Sequence, residues 1–383
     1  MSARLSQIQA RRFASFTVLW AVTVCSLTNP GWGQGQLDAE FAGAGARPLS
    51  MGGAFLGLAD DSTAAEFNPA GIRILPRSEF AWQLTRTYDR RDEYLPFTSN
   101  DRGEATFEED TNQWTTPSFA SFVYPTEKLT IAVSQLTTIN LVHHFDDPTP
   151  DFAGRRYESK TEARNNAYGL TFAFDLRERL HMGVTLRMNR FDFENRDSRR
   201  VPGAELTDWS PSFNVGLLWR ATKKWSFGSV FKSSQKVEGE ILGSDVSTEL
   251  PQTVGVGVAY HPNDKIRLLA DVDRIGWSDF DGAPDDDYVR NDVTRFHLGG
   301  EYLLCANKDI AWFLRGGYMR EDSNSLYYAG ADEFARAMTP EKDDIDHLTF
   351  GIGLAKEKYQ LDLGVDHELD GATTFILAMI HYF

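Results

Sequence analysis

The sequence predicts an all-β fold, a 14-stranded antiparallel transmembrane β-barrel with a small N-terminal plug. Three observations carry this. First, apolar side chains recur at every second position in segments of about ten residues, the period of a strand that is greasy on one face only. Val254, Val256, Val258 and Tyr260 alternate with Thr253, Gly255, Gly257 and Ala259, and Leu348, Phe350, Ile352 and Leu354 alternate with His347, Thr349, Gly351 and Gly353. Second, the connections alternate between short and long, as they do when short periplasmic turns face longer external loops. Third, the chain stops on Phe383, at the end of an apolar stripe made by Phe375, Leu377 and Met379.

The strand candidates run in order over 78–90, 113–125, 128–144, 158–176, 179–195, 207–221 and 224–238. They continue over 249–261, 265–278, 292–304, 308–321, 346–356, 358–368 and 371–383. Connections after the even-numbered candidates are two or three residues long, as in Pro125–Glu127, Leu176–Glu178, Thr222–Lys223 and Pro262–Asp264. Those after the odd-numbered ones include the long acidic stretches Asn100–Thr111, Asp146–Arg156, Ser278–Asn291 and Glu321–Ile345; only the last, near Leu369–Gly371, breaks the pattern. A soluble sandwich has no reason to sort loop lengths by parity. An even strand count also returns the C-terminus to the side where the barrel began.

Charge placement agrees. Leu180, Met182, Val184, Leu186 and Met188 oppose His181, Thr185, Arg187 and Asn189, and Ile266, Leu268, Ala270 and Val272 oppose Arg267, Asp271 and Asp273. A Lys or Arg on the lipid face near the midplane costs about 2–4 kcal/mol. In these windows the charges fall on the other face.

Composition is compatible with a barrel and excludes a bundle of membrane helices. Hydrophobic residues make up 42% of the 383, and no run of eighteen apolar residues occurs. The net charge of −16 argues against nucleic acid as a partner. Residues 1–35 read as a signal peptide: Arg4, Arg11 and Arg12 precede the apolar run Phe13–Leu27, and small residues at Gly31, Gly33 and Gly35 offer cleavage sites. Cys25 would leave with that segment. Cys305 would then be the remaining cysteine, so no intramolecular disulfide is expected.

Residues 36–76 are rich in Gly and Ala and too few for an independent domain, so they are expected to plug the barrel formed by 77–383. Ser50–Glu66 is expected to form a short helix that Asn68-Pro69-Ala70-Gly71 must end, since proline blocks continuation of a helix. No catalytic motif is present: there is no HExxH, Walker loop, GxSxG elbow or paired CxxC. The His143-His144 pair stands beside Asp146-Asp147, but neighbours on a strand point to opposite faces and do not readily share an ion. The acidic runs Glu108–Asp110, Asp285–Asp287 and Asp343-Asp344 lack calcium-loop spacing and read as solvated loop. Neither metal nor cofactor nor catalysis is expected.

One stretch has specificity of its own. Gly45–Ile72 reads GARPLSMGGAFLGLADDSTAAEFNPAGI. It resembles the N-terminal signature of the FadL (OMPP1/TodX) family of outer-membrane hydrophobic-compound transporters, PorV-like relatives included. Gly45, Arg47, Met51, Gly52, Gly53, Ala54, Phe55, Ala59, Asp60, Asp61, Ala64, Asn68, Pro69, Ala70 and Gly71 carry the match. Leu250-Pro251, followed by GVGVAY and DVDRIGWSDF, is similar to the family's mid-barrel hairpin.

The resemblance implies a fourteen-stranded barrel with an N-terminal hatch, placed in the cell outer membrane. It implies passive uptake of a hydrophobic small molecule, of the long-chain fatty acid or hydrocarbon class, which is bound inside the barrel and leaves when the hatch rearranges. Exit can be sideways through a gap in the wall. The ligand and gate positions it points to are Asn68, Pro69, Ala70, Gly52, Gly53 and Phe55. Further partners would be the lipids of the outer membrane and the barrel-assembly machinery, met through Phe383. The alternative is a PorV-like barrel whose acidic loops hold a surface protein. Barrel C-termini usually carry an apolar or aromatic residue two places before the last Phe, where this chain has His381.

Overall fold

The computed structural model describes residues 43–95, 105–147, 157–197, 200–241, 244–279, 287–307, 309–323, 325–333, 336, 340–369 and 371–383. The expected signal peptide (1–35) and the first residues of the expected plug (36–42) lie outside these. Among the described residues, eighteen strands are present in chain order. The first six are β1 (Glu79–Leu95), β2 (Ala105–Pro125), β3 (Leu129–Asp147), β4 (Tyr157–Arg177), β5 (Leu180–Asp197) and β6 (Arg200–Trp219). Next come β7 (Trp225–Lys232), β8 (Gln235–Ile241), β9 (Ser244–Leu250), β10 (Thr253–Asn263), β11 (Ile266–Ile275) and β12 (Tyr288–Val289). The last are β13 (Val293–Ala306), β14 (Ile310–Glu321), β15 (Tyr327–Tyr328), β16 (Ile345–Lys356), β17 (Tyr359–Glu368) and β18 (Thr373–Tyr382).

Fourteen of these close into one antiparallel barrel, each beside its barrel neighbour in sequence. The seam joins β1 to β18, with Glu79 opposite Tyr382 and Tyr88 opposite Thr373. The Phe383 amide adds a bond to the Ser78 carbonyl (3.0 Å), so the chain closes on its own first strand as the final meander predicts. Short turns and both barrel termini share one end, and the long connections occupy the other.

The outer surface is apolar where alternation places it. Leu186, Val254, Val256, Leu298, Phe350 and Leu363 are all exposed on it. Aromatic side chains gather toward both edges, as amphipathic rings do at a lipid–water boundary. Near the short turns Trp225 stacks on Tyr260 (4.3 Å between ring centroids) and Phe122 meets Phe383 (6.0 Å). Toward the other end Tyr168 stacks on Trp209 (5.9 Å) and Tyr88 meets Phe375 (6.0 Å). His381 belongs to this surface, with its ring against Tyr359 and Phe383 (4.7 and 4.4 Å). An aromatic ring therefore does occupy the position two before the last residue.

The wall is uneven in height. Strands β2 and β4 each hold 21 residues and β6 holds 20, whereas β7 holds 8 and β11, β17 and β18 hold 10. Roughly 9–11 residues suffice to cross a bilayer. The first six strands therefore stand well clear of the membrane on the side of the long connections. The sequence reading ended these strands too early, since 105–112 and 200–206 were expected as loop. Outside lipid, both faces of a strand carry polar residues and the alternation that marks it disappears.

Two further corrections concern the interior. The expected seventh strand, 224–238, is two elements: β7 ends at Lys232, and β8 pairs with β9 in a separate two-stranded hairpin. The expected helix over 50–66 does not form. Single helical turns at Ala46–Leu49 (α1) and Ala64–Phe67 (α2) flank a series of tight turns, followed by a 3₁₀ helix at Pro69–Ile74. Gly52 (φ 65°), Gly53 (φ 76°) and Ala59 (φ 37°) adopt left-handed backbone, which a right-handed helix cannot include.

Candidate functional site

Residues 43–75 fill the barrel near the short-turn end. Met51, Ala54, Phe55, Leu58, Ala59, Ala64, Ala65, Ile72 and Leu75 form a core with Val123, Ala132, Ala173, Ala259 and Leu269 of the wall. The wall accommodates the plug's backbone by removing its own side chains. Four glycine pairs face one another across neighbouring strands beneath the plug: Gly183–Gly216, Gly228–Gly257, Gly299–Gly317 and Gly351–Gly364; a fifth, Gly300–Gly316, has no plug atom near it. A methyl group at Gly183 would overlap Pro69, at Gly216 Asn68, at Gly228 the Leu56 carbonyl, at Gly299 Met51, and at Gly351 Ser50. These positions serve close approach of backbone to backbone.

Charge then locks the plug in place. Arg47 donates to Asp60 (2.6 Å) and Asp61 (2.8 Å) within the plug, and to Glu301 of β13 (2.9 Å). Glu301 also pairs with Arg267 and with Arg315 (2.7 Å), and Arg315 continues to Asp362 (2.6 Å). Burial works against charge on Arg47, yet Asp60, Glu301 and Asp61 hold its protonated form well above the ordinary arginine range. For Asp61 burial is the larger influence and raises the carboxyl, with Arg47 and Thr63 pulling the other way. A second tie joins Glu66 of α2 to Arg187 of β5 and to Ser134 (2.8 Å). A third is Asp271, whose Oδ2 accepts the amides of Phe55 (2.6 Å) and Leu56 (2.7 Å).

The six positions singled out from the sequence all lie in this plug. The Asn68 side chain donates to the carbonyls of Leu56 (3.0 Å) and Leu217 (2.9 Å), and its Oδ1 accepts the Ala70 amide (3.2 Å). It thus caps the 3₁₀ helix and ties one plug segment to another and to β6. Pro69 opens that helix, where a missing N–H costs nothing. Ala70 is fully buried beside it. The Gly52 amide donates to Thr349 Oγ1 (2.8 Å) and its carbonyl accepts from His297 Nδ1 (2.7 Å), while Gly53 lies against the same imidazole. Phe55 is buried, with its ring edge-on to Phe67 (5.5 Å) and under the Arg47 guanidinium (5.4 Å).

Above the plug lies a cavity of about 150 Å³. Leu49, Gly52, Gly53, Leu56 and Phe67 form its floor, and Leu136, Ile139, Val230, Leu250, Pro251 and Trp277 its apolar walls and roof. Asn165, Asn189, Ser212 and Gln235 add polar edges, and Glu66, Arg187, Asp271, Asp273, Arg295, His297 and Asp366 bring charged or titratable groups to the lining. Lys232 also faces it, with no ionic partner among the described residues. Of the six expected positions, Gly52 and Gly53 reach this cavity, whereas Asn68, Pro69, Ala70 and Phe55 support the floor from within. Sequence reasoning missed Glu301, Arg315, Asp362, Asp271 and His297. Their signal was present in charged residues at inward positions of apolar strands, Asp271 among them.

The roof is the β8–β9 hairpin. Val237, Ile241 and Val246 pack on the inner face of the tall wall, against Ile139, Ala163, Phe191, Phe193, Ala204 and Leu206, and join Ile275, Trp277 and Val293.

A family model described as outer membrane protein transport protein (OMPP1/FadL/TodX) matches residues 32–370. The chain belongs to that family. It is accordingly an outer-membrane barrel, and the family and the solved structures it resembles are transport channels. No curated protein sequence matches the chain. Among solved structures, the Pseudomonas putida toluene transporter TodX aligns over 91% of this chain and 99% of its own, with 14% identity and a TM-score of 0.64. The Ralstonia pickettii toluene transporter TbuX aligns over 89% and 99%, at 15% identity and TM-score 0.62. A Pseudomonas aeruginosa FadL homologue aligns over 88% and 97%, at 14% identity and TM-score 0.62. At these identities the likeness is one of fold.

Proposed function

We propose that this protein takes up small hydrophobic molecules passively across the outer membrane, with residues 43–75 as a hatch and the cavity above it as the binding station. The observation that carries the reading is a partly open cavity with a mainly apolar lining, between the plug and the base of the β8–β9 hairpin inside a barrel. An apolar cavity of roughly 150 Å³ is enough to hold benzene. A compact hydrocarbon therefore fits without rearrangement, in keeping with the likeness to TodX and TbuX, which are toluene transporters. Lys232 supports a second ligand class, since its ammonium group could meet the carboxylate of a fatty acid whose chain lies along the apolar wall.

The parting of two strands supports a sideways exit. Strands β2 and β3 pair from Pro125–Thr130 to Phe119–Leu136 and then part. Beyond that point Asn140 reaches Thr115 by a side-chain bond (2.7 Å), and Leu136, Thr138 and Ile139 beside the split also line the cavity. The gate assignment of Asn68, Pro69 and Ala70 rests on their bonds to the floor and to β6. The surface-protein alternative gains no support from the family or the neighbours.

The test is uptake of labelled toluene and labelled oleate by a deletion strain carrying the gene or an empty vector. The reading expects toluene uptake to depend on the gene. Oleate uptake that depends on the gene and is lost in Lys232→Met would establish the fatty-acid class. Gene-independent entry of both would remove the transport reading.

A further inference from the structure

The β8–β9 hairpin leaves the barrel wall at Ser233-Ser234 and turns inward over the cavity, and we infer that it is an outer lid which an incoming hydrophobic molecule must displace. The inference rests on the uptake reading and adds a second gate to it, at the opposite side of the cavity from the hatch.

Three features point to this. The hairpin's backbone ladder is internal among the described residues, from Gln235–Leu250 to Ile241–Ser244, and adds no strand to the barrel. Its two faces differ sharply. Val237, Ile241 and Val246 are buried beneath it, while Lys236, Glu238, Glu240, Asp245 and Glu249 are exposed above. Its grip on the wall is mainly apolar contact, supplemented by the reciprocal amide pair of Gln235 and Asn165 (3.0 and 3.2 Å) and by the Glu238 amide on Asp208 (3.0 Å).

Apolar contacts are non-directional, and a hydrophobic ligand can replace them with contacts of its own. The buried ion pairs that hold the hatch are different, because no hydrocarbon substitutes for a lost charge partner. A greasy molecule arriving from outside therefore competes with the underside of the hairpin before it meets the hatch. The acidic upper face keeps the displaced hairpin in water.

A disulfide between lid and wall provides the test. Gly239 lies directly over Leu206, with an ideal Cβ 3.4 Å from Leu206 Cγ, so Gly239→Cys with Leu206→Cys places two thiols within bridging reach. Cys305→Ser removes the exposed native thiol. In proteoliposomes the oxidised protein is expected to take up toluene about ten-fold more slowly than the reduced protein, since a locked lid blocks entry. Equal rates in both states, with bridging verified, would overturn the lid and leave the uptake reading standing. Absence of toluene uptake in both states and in the unmodified protein would overturn both.

Hydrogen exchange on the unmodified protein gives a second readout. Toluene is expected to speed exchange of amides in 235–250 and to leave those of 46–74 unchanged. Faster exchange in the hatch with an unaltered hairpin would overturn the assignment.

Discussion

The cavity has a floor and a roof, and the two are held by different physics. Below, the plug meets the wall through buried charges, amide-to-carboxylate bonds and backbone laid on glycine. Above, the β8–β9 hairpin rests chiefly on valine, isoleucine and phenylalanine. A buried ion pair is strongly directional, and removing one member leaves the other uncompensated. Apolar packing loses only what the ligand fails to restore. The difference teaches where a hydrophobic molecule has leverage: on the roof, and on the floor only once it has entered.

The largest effect should follow from disturbing the floor at its charged hub. Glu301→Ala leaves Arg47, Arg267 and Arg315 without their shared carboxylate, and breaking a buried pair in this way costs about 3–5 kcal/mol. The expected outcome is a hatch that opens spontaneously, seen as steady ion current in planar bilayers where the native protein is closed. A closed Glu301→Ala channel would show that the hub does not hold the floor.

Next in size is the glycine wall. Gly228→Leu drives a side chain into the Leu56 carbonyl, and overpacking of this kind costs about 1–3 kcal/mol. The barrel should still form, with its heat-modifiable migration on gels intact, but protease should cut the displaced hatch. Protection equal to the native protein would mean that the wall yields instead.

Asn68→Ala combined with Pro69→Ala comes third. It removes the bonds to Leu56 and Leu217 and the helix cap, each worth about 1 kcal/mol and more where a buried carbonyl is left unpaired. Barrel folding should persist while the toluene uptake rate changes; an unchanged rate would remove the gate role from this motif. The smallest expected effect on the folded state is deletion of Phe383, which loses one backbone bond to Ser78 and the ring contacts with Phe122 and His381. Assembly into the membrane should slow, as followed by pulse-chase, whereas the assembled barrel should keep its uptake. Normal assembly kinetics would contradict a role for Phe383 in recognition by the assembly machinery.

Much of the floor and little of the roof was legible in the sequence. Each barrel strand was foreseen because lipid outside and water inside enforce alternation over its membrane-crossing part. The short-turn parity then gave the meander order and the closure of the last strand on the first, and the structure supplies the register, with Tyr382 opposite Glu79. The plug was legible as a family signature, but its conformation was not. Gly52 and Gly53 read as tolerated interruptions of a helix, whereas they take left-handed backbone against Thr349 and His297, partners about 245–300 residues away along the chain. The roof was missed because 235–238 and 249–250 read as the ends of two barrel strands, 224–238 and 249–261, and 239–248 as the loop between them. Only its burial beneath a tall wall, a tertiary fact, sets the hairpin apart. Charged residues at inward positions were noted as wet-face residues, and their true partners were invisible until the plug was in place.

The proposed transport requires a hydrophobic molecule to occupy the space between plug and hairpin. Crystals of the native protein soaked with iodobenzene test it directly, because iodine gives an anomalous signal that lipid and detergent lack. The account predicts an iodine peak between Leu56 and Phe67 below and Leu250 and Trp277 above. Iodine found on the lipid-facing surface, with none in that space, would contradict it.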